Sequence, residues 1–420
     1  MISINVPNEI RKVADRYKDV FFDGSKNYNC ICVLLCLHLF GLKSLSSAAR
    51  ELGWSQSVSS IQNNVQKFSA NRFMRRLRSS ILNKLKNEIN DEDFCYAIDD
   101  TSNIKSGKKI FGIGSWGSSN KNIYRGQKIF ILSLINKRKG YALPLHYFIC
   151  EKIDGKVIQS GHELTIKLLK DIFYEGYPIL HIALDSWYDS VTLMKNLDEL
   201  NVPFCIQTKD NRKVRHSTSS KVSWKDWKKL FKNKTKYSIK LLKTEHQKKS
   251  RKTKYLKESF VYIKGRKSIL KTISVYNKLT DSCHFSIYVT NDLKMSGAFL
   301  YELGRKRWFI EELFRNLKQK LSFGKLSCTG KVAADLSICL PFALIISLHL
   351  SPNELHQKKV QSITIGTKIE KIKAENFENS LSVIMNNPKH LNVKNLKARR
   401  RIDRINQKPV NYFAEERISC

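Results

Sequence analysis

The sequence predicts an α/β protein, with a mixed sheet carrying helices on its faces, a helical region before it and a helical region after it. Three observations predict this. Residues 1 to about 90 carry apolar side chains at helical spacing, the texture changes at Phe94 to short β-rich runs, and from His162 onward helix-like and strand-like segments alternate.

In the first region the informative stretch is 45–61. A short helix is expected to end at Gly53, and Ser55 or Ser57 then caps a second helix with Val58, Ile61, Val65 and Phe68 at helical spacing. This is a helix-turn-helix pattern with a polar face that includes Gln56, Ser60, Asn63 and Lys67, suited to DNA. Plain packing of a helix bundle gives the same pattern. A basic helix follows, with Arg72, Arg75, Arg76, Arg78, Lys84 and Lys86. Cys30, Cys32, Cys36 and His38 resemble a zinc-ligand cluster, but they stand inside an apolar helical run, where free cysteines pack as core.

From Phe94 three strands are expected, at 94–100, 110–116 and 129–135, with glycine-containing turns between them. A helix at 162–174, a strand at 179–184, a helix at 189–200 and a strand at 203–207 follow. Residues 213–285 break the rhythm with lysine-rich β runs and a basic loop at 247–254, and read as a β-rich insertion. One long helix is expected from about Gly304 to Leu321. The tail from 388 is basic, with Lys397, Arg399, Arg400 and Arg401. The expected domains are a helical DNA-binding domain at 1–90, a core from 91–212 plus 286–330, the insertion at 213–285, and a helical C-terminal region with a basic tail at 331–420.

Charge narrows the partners. Lys and Arg number 75 against 37 Asp and Glu, a net charge of +38 spread along all 420 residues. Such a field attracts polyanions, and nucleic acid is the natural one, with an anionic membrane or a ribosome-like particle as the alternative. Ten scattered cysteines read as reduced thiols. Met1-Ile2-Ser3-Ile4-Asn5 leads directly into polar residues, unlike a secretory leader, and the apolar runs at 31–42 and 338–350 fall short of a membrane span. A soluble, cytoplasmic protein is expected, with no membrane partner.

Two acids sit where short apolar strands end, Asp100 and Asp185. An Asp there often only caps a turn. Asp99 and Asp100 are neighbours on one strand and must face opposite sides, so only one can share a site with Asp185. Downstream, Ile310, Leu313, Phe314, Leu317 and Leu321 form an apolar helix face, and Arg307, Glu311, Arg315 and Lys318 form an adjoining flank. That flank reads either as a solvated salt-bridge ladder or as a metal-binding carboxylate framed by cations that grip phosphates.

The spacing Arg-(3)-Glu-(6)-Lys at Arg307, Glu311 and Lys318 resembles the signature of prokaryotic insertion-sequence DDE transposases of the insertion-sequence-four type, in full Tyr-(2)-Arg-(3)-Glu-(6)-Lys. Ile98-Asp99-Asp100-Thr101 resembles the family's first acid block, whose catalytic acid directly precedes the Thr and so selects Asp100. Leu184-Asp185-Ser186-Trp187-Tyr188 resembles the second block. The resemblance covers roughly residues 45 to 350. One departure stands out: the motif's Tyr position holds Gly304, with Tyr301 one turn earlier.

The resemblance implies a ribonuclease H-like fold with two acids on strands and Glu311 on a helix. It implies that Asp100, Asp185 and Glu311 are catalytic and hold two Mg²⁺ or Mn²⁺ ions, while Arg307, Lys318 and Arg315 hold DNA. Two such ions ~3.5–4 Å apart activate the attacking oxygen and stabilise the leaving one. The partners implied are double-stranded DNA, as element ends and as target, and a second copy of the chain in a homodimer. Relatives cut element ends, often through a hairpin, and then transfer strands, associating with the nucleoid when bound to DNA. Trp224 and Trp227 are candidates for stacking an extruded base or for ordinary helix packing. The rival readings are a structure-selective nuclease on the same fold, and a non-catalytic DNA-binding protein descended from a transposase.

Overall fold

The computed structural model describes residues 6–21, 28–42, 44–46, 58–107, 110–117, 123–153, 156–218, 224–227, 240–242, 254–276, 286–326, 329–350 and 364–386. The turn of the helix-turn-helix pattern, most of the basic loop at 247–254 and the tail from 388 lie outside the described residues.

Among the described residues, the longer helices that precede the sheet are α1 (Asn8–Phe21), α2 (Tyr28–Phe40), α3 (Val58–Val65) and α4 (Ala70–Leu85). α2 is apolar all round, and Cys30, Cys32, Cys36 and His38 are buried in it, so this cluster is core. α2 packs against α1 and against the 20-residue helix α9 (Lys331–Leu350), reached after α5 (Gly161–Tyr174), α6 (Val191–Glu199), α7 (Gly297–Lys306) and α8 (Phe309–Lys320) and followed by α10 (Ile365–Asn386). α9 is long and apolar enough to cross a membrane by length and composition, but 83% of its most apolar stretch is buried inside the fold. It contacts α1, α2, α3, α4, α8 and α10, so helices from both ends of the chain share one layer.

The sheet is built on β1 (Phe94–Ile104), whose first five residues are all buried, as expected of a strand covered on both faces. β1 pairs antiparallel with β3 (Ile123–Asn136), which also pairs with β2 (Ile113–Gly117) and β4 (Tyr141–Ile149). β4 is a strand beyond the three expected. Its Pro144 faces Ser133 where the register shifts, an irregularity that accommodates a residue with no N–H to donate. On its other side β1 pairs parallel with β7 (Ile182–Leu184), and β7 pairs parallel with β8 (Phe204–Gln207). A small hairpin, β5 (Lys152–Ile153) with β6 (Lys156–Val157), stands apart.

The described strands of the insertion continue this same sheet. β9 (Lys213–His216), β10 (Lys225–Asp226), β11 (Lys240–Leu242), β12 (Lys254–Ile263) and β13 (Leu270–Tyr276) link through β14 (Ser286–Thr290) to β8. Trp227 is fully buried and its indole N–H donates to Thr208 Oγ1 at 3.3 Å, so it is a core residue and no base-stacking platform.

Candidate active site

Strand pleating separates the two neighbouring acids. Asp99 pairs with Ile131, which pairs with Tyr147, and the Tyr147 hydroxyl donates to Asp335 on α9 at 2.7 Å. Asp100 pairs with Phe130, which pairs with Phe148, and Lys167 of α5 lies over the Phe148 ring. Side chains paired across strands share a face. Asp99 therefore belongs to the face covered by α8 and α9, and Asp100 to the face covered by α5.

Parallel pairing brings Asp185 to the same place. The last β1–β7 pair is Ala97 with Ala183, and Asp99 and Asp185 each lie two residues further on. Asp185 stands just past β7 in extended backbone, and its charge bears on both Asp99 and Asp100. Asp185 also caps the turn that follows, its Oδ1 accepting from Trp187 N at 2.9 Å. Gly161, at the start of α5, allows that turn to close: a Cβ there would stand 2.5 Å from the Trp187 ring and 2.7 Å from Phe130.

Glu311 arrives from the third element, which is not the single expected helix. α7 ends at Lys306 and α8 starts at Phe309, joined by tight i→i+3 bonds from Trp308 N to Arg305 O and from Ile310 N to Arg307 O. Ile310, Leu313, Leu317 and Leu321 are buried as expected, with Phe314 partly so. Arg307 stands in the joint. Its Nη1 donates to Asp99 Oδ2 at 3.0 Å and its Nη2 to Glu311 Oε1 at 2.7 Å.

The electrostatics follow from this crowding. Burial pushes the Asp99 carboxyl up to about 7, Arg307 opposes the rise, and the charges of Asp185 and Asp100 add to it. Burial raises Asp100 too, against Lys128, whose Nζ lies 3.3 Å from Asp100 Oδ1. Burial works against the Arg307 charge, but Asp99, Asp185 and Glu311 outweigh it and hold the guanidinium above its ordinary value. Burial lowers Lys318, with Asp100 opposing. Arg315 is exposed, its guanidinium 5.5 Å from the Trp308 ring centroid.

The structure thus joins Asp99 and Glu311 through one guanidinium on which the Asp185 charge also bears, and pairs Asp100 with Lys128 while the charges of Asp185 and Lys318 reach it too. The Lys128 ammonium also lies 5.0 Å from the ring centroid of Trp187, which is 43% exposed. Lys128 and Trp187 border the acids without having been predicted to, because each reads locally as an ordinary residue. Hard carboxylate oxygens suit a divalent ion in kind. The Tyr188 hydroxyl, buried and without a hydrogen-bond partner, lies within reach of the charges of Asp99, Asp100 and Asp185. Among the described residues, no three His, Cys, Asp or Glu side chains form a ready ion cage. Arg307 bridges Asp99 and Glu311, and Lys128 pairs with Asp100.

At Gly304 a Cβ would stand 2.3 Å from the Tyr288 ring. Tyr288, from β14, fills the space a residue-304 side chain would need, and Tyr301 is buried edge-on against it.

Asp99 and Asp100 stand inside β1, which runs on to Ile104 and does not end at 100 as expected, Asp185 directly follows β7, and α8 adds Glu311 among cations. The chain belongs to the transposase DDE domain family, whose model matches residues 114–346, more than half of its length. The match includes Asp185, Arg307, Glu311 and Lys318 and begins after Asp99 and Asp100. No curated protein matches the chain. Membership makes this a transposase, a class of DNA-acting enzymes that generally use divalent metal ions.

Proposed function

We propose that this protein cuts and rejoins phosphodiester bonds at the ends of an insertion sequence, as a transposase of the insertion-sequence-four type. Asp185, Glu311 and one acid of the Asp99–Asp100 pair would hold two Mg²⁺ or Mn²⁺ ions, and pleating favours Asp99 over the Asp100 that the motif selects. The observation that carries this reading is the convergence of Asp99, Asp185 and Glu311 on Arg307 from two adjacent parallel strands and a helix.

When bound, the ions would activate the attacking oxygen and stabilise the leaving one. The residues do the positioning. Asp185 is held by the turn it caps, Glu311 projects from a helix anchored by Ile310, Leu313 and Leu317, and Lys318 and Arg315 line the same helix for phosphate contact. A homodimer would hold the two element ends together.

The test is nicking of supercoiled plasmid by the full chain with Mg²⁺ or Mn²⁺, beside the Asp185→Ala variant. Wild type should nick, and the variant should lose nicking while keeping salt-sensitive DNA binding. Cleavage that survives in the variant would falsify the carboxylate assignment. DNA binding with no cleavage in wild type would favour the non-catalytic reading.

A further inference from the structure

Arg307 spans the two carboxylates that stand on different elements, Asp99 on β1 and Glu311 on α8, and the Asp185 charge also bears on it. The pair with Asp99 is sheltered, with side-chain exposures of 16% and 19%, while Glu311 is 44% exposed. A guanidinium and a divalent ion would compete for the same oxygens, and both cannot take them at full strength. Phosphate offers a guanidinium another planar, bidentate partner. Glu311, the more exposed of the two acids, is the easier to let go. Arg307 also stands between α7 and α8, in a turn held by i→i+3 bonds and not inside a regular helix.

We infer that Arg307 is a latch that couples DNA binding to metal binding. In the DNA-free protein it holds Glu311 away from an ion. A DNA phosphate draws the guanidinium off and frees the glutamate. The coupling is reciprocal, since two ligands that act on one equilibrium strengthen each other by the same factor. This inference rests on the proposed metal site but goes beyond it, because a preformed site would bind ions equally well without DNA.

The experiment is a Mn²⁺ titration of the full chain, followed by electron paramagnetic resonance. It is run alone and with a saturating short duplex of arbitrary sequence, the duplex alone being the blank. Wild type should bind Mn²⁺ about tenfold more tightly with duplex, a size typical of coupled sites. Arg307→Gln should bind Mn²⁺ more tightly than wild type without DNA and lose the duplex effect. Arg307→Lys keeps the charge beside Asp99 if the neutral variant does not fold, and should show a reduced duplex effect, because an ammonium lacks the two-pronged grip. Equal Mn²⁺ affinity with and without duplex in wild type overturns the latch and leaves the metal site standing. No Mn²⁺ binding under either condition overturns the site and the latch together.

Discussion

Arg307 donates to Glu311 at 2.7 Å and to Asp99 at 3.0 Å, so one guanidinium joins the helix acid to the strand acid across more than two hundred residues of chain. The contact ties Glu311 to the strand acid Asp99 through Arg307, although the Glu311 side chain is 44% exposed. Glu312 is rotated by about 100° around the helix axis.

Glu311→Ala should therefore cost DNA cleavage as much as Asp185→Ala, at least about a hundredfold, the scale of losing a group that organises charge in a transition state. Glu312→Ala should stay within about tenfold of wild type. Initial rates of plasmid nicking in Mg²⁺ check this, and the reverse order would mean that the helix presents its other face to the DNA.

Asp99 and Asp100 are separated by the same assay. Asp99→Asn should lose about a hundredfold, because its carboxylate lies on the face of Asp185 and Glu311. Asp100→Asn should lose less, since its carboxylate pairs with Lys128 and not with the Arg307 that joins Asp99 to Glu311, although the charges of Asp185 and Lys318 also reach it. A larger loss in Asp100→Asn would return the role to the acid that precedes Thr101.

The α/β class, Asp185 at a strand end and the apolar face from Ile310 to Leu321 were all legible in the sequence, because each depends on local spacing. The choice between Asp99 and Asp100 was not. It depends on which residue of β1 lies beside which residue of β7, a register set by tertiary pairing. The break at Arg307–Trp308 carries no Pro or Gly to announce it. β4 carries Pro144, a residue that argues locally against a strand, and in the fold it sits at a register shift. Gly304 needed a long-range fact, the Tyr288 ring packed over it.

Arg78 tests how the N-terminal helices are tied to the sheet layer. From α4 it grips Glu175, just past α5, with Nε to Oε2 and Nη2 to Oε1 both at 2.6 Å, and its Nη1 donates to Leu145 O on β4. The Arg78 side chain is 5% exposed and that of Glu175 is 17% exposed. Arg78→Ala would leave the poorly solvated Glu175 carboxylate to the exposed Arg75, 3.7 Å away, and should destabilise the fold by about 3 kcal/mol. Urea denaturation measures it. Arg78→Met with Glu175→Leu, which removes both charges, should cost clearly less than Arg78→Ala; equal costs would show that packing dominates over the ion pair.

His38 predicts how the fold responds to acid. It is fully buried on α2, with Nδ1 3.3 Å from Leu321 O, and burial pushes its pKa down to about 4 from 6.5, against the pull of the Leu321 and Ser322 backbone bonds. Between these two values the unfolded chain takes up a proton that the folded chain refuses, so stability falls as pH drops from about 6.5 toward 4 and is fully present above 6.5. At pH 5 the loss from this one group should be about 2 kcal/mol. His38→Gln retains an amide able to donate to Leu321 O and does not titrate. Its urea midpoint should fall less than that of wild type between pH 7 and pH 5. Some slope should remain from His146, which burial also lowers. If the two proteins lose stability in parallel, His38 is not the group through which acid opens the contact between α2 and the end of α8.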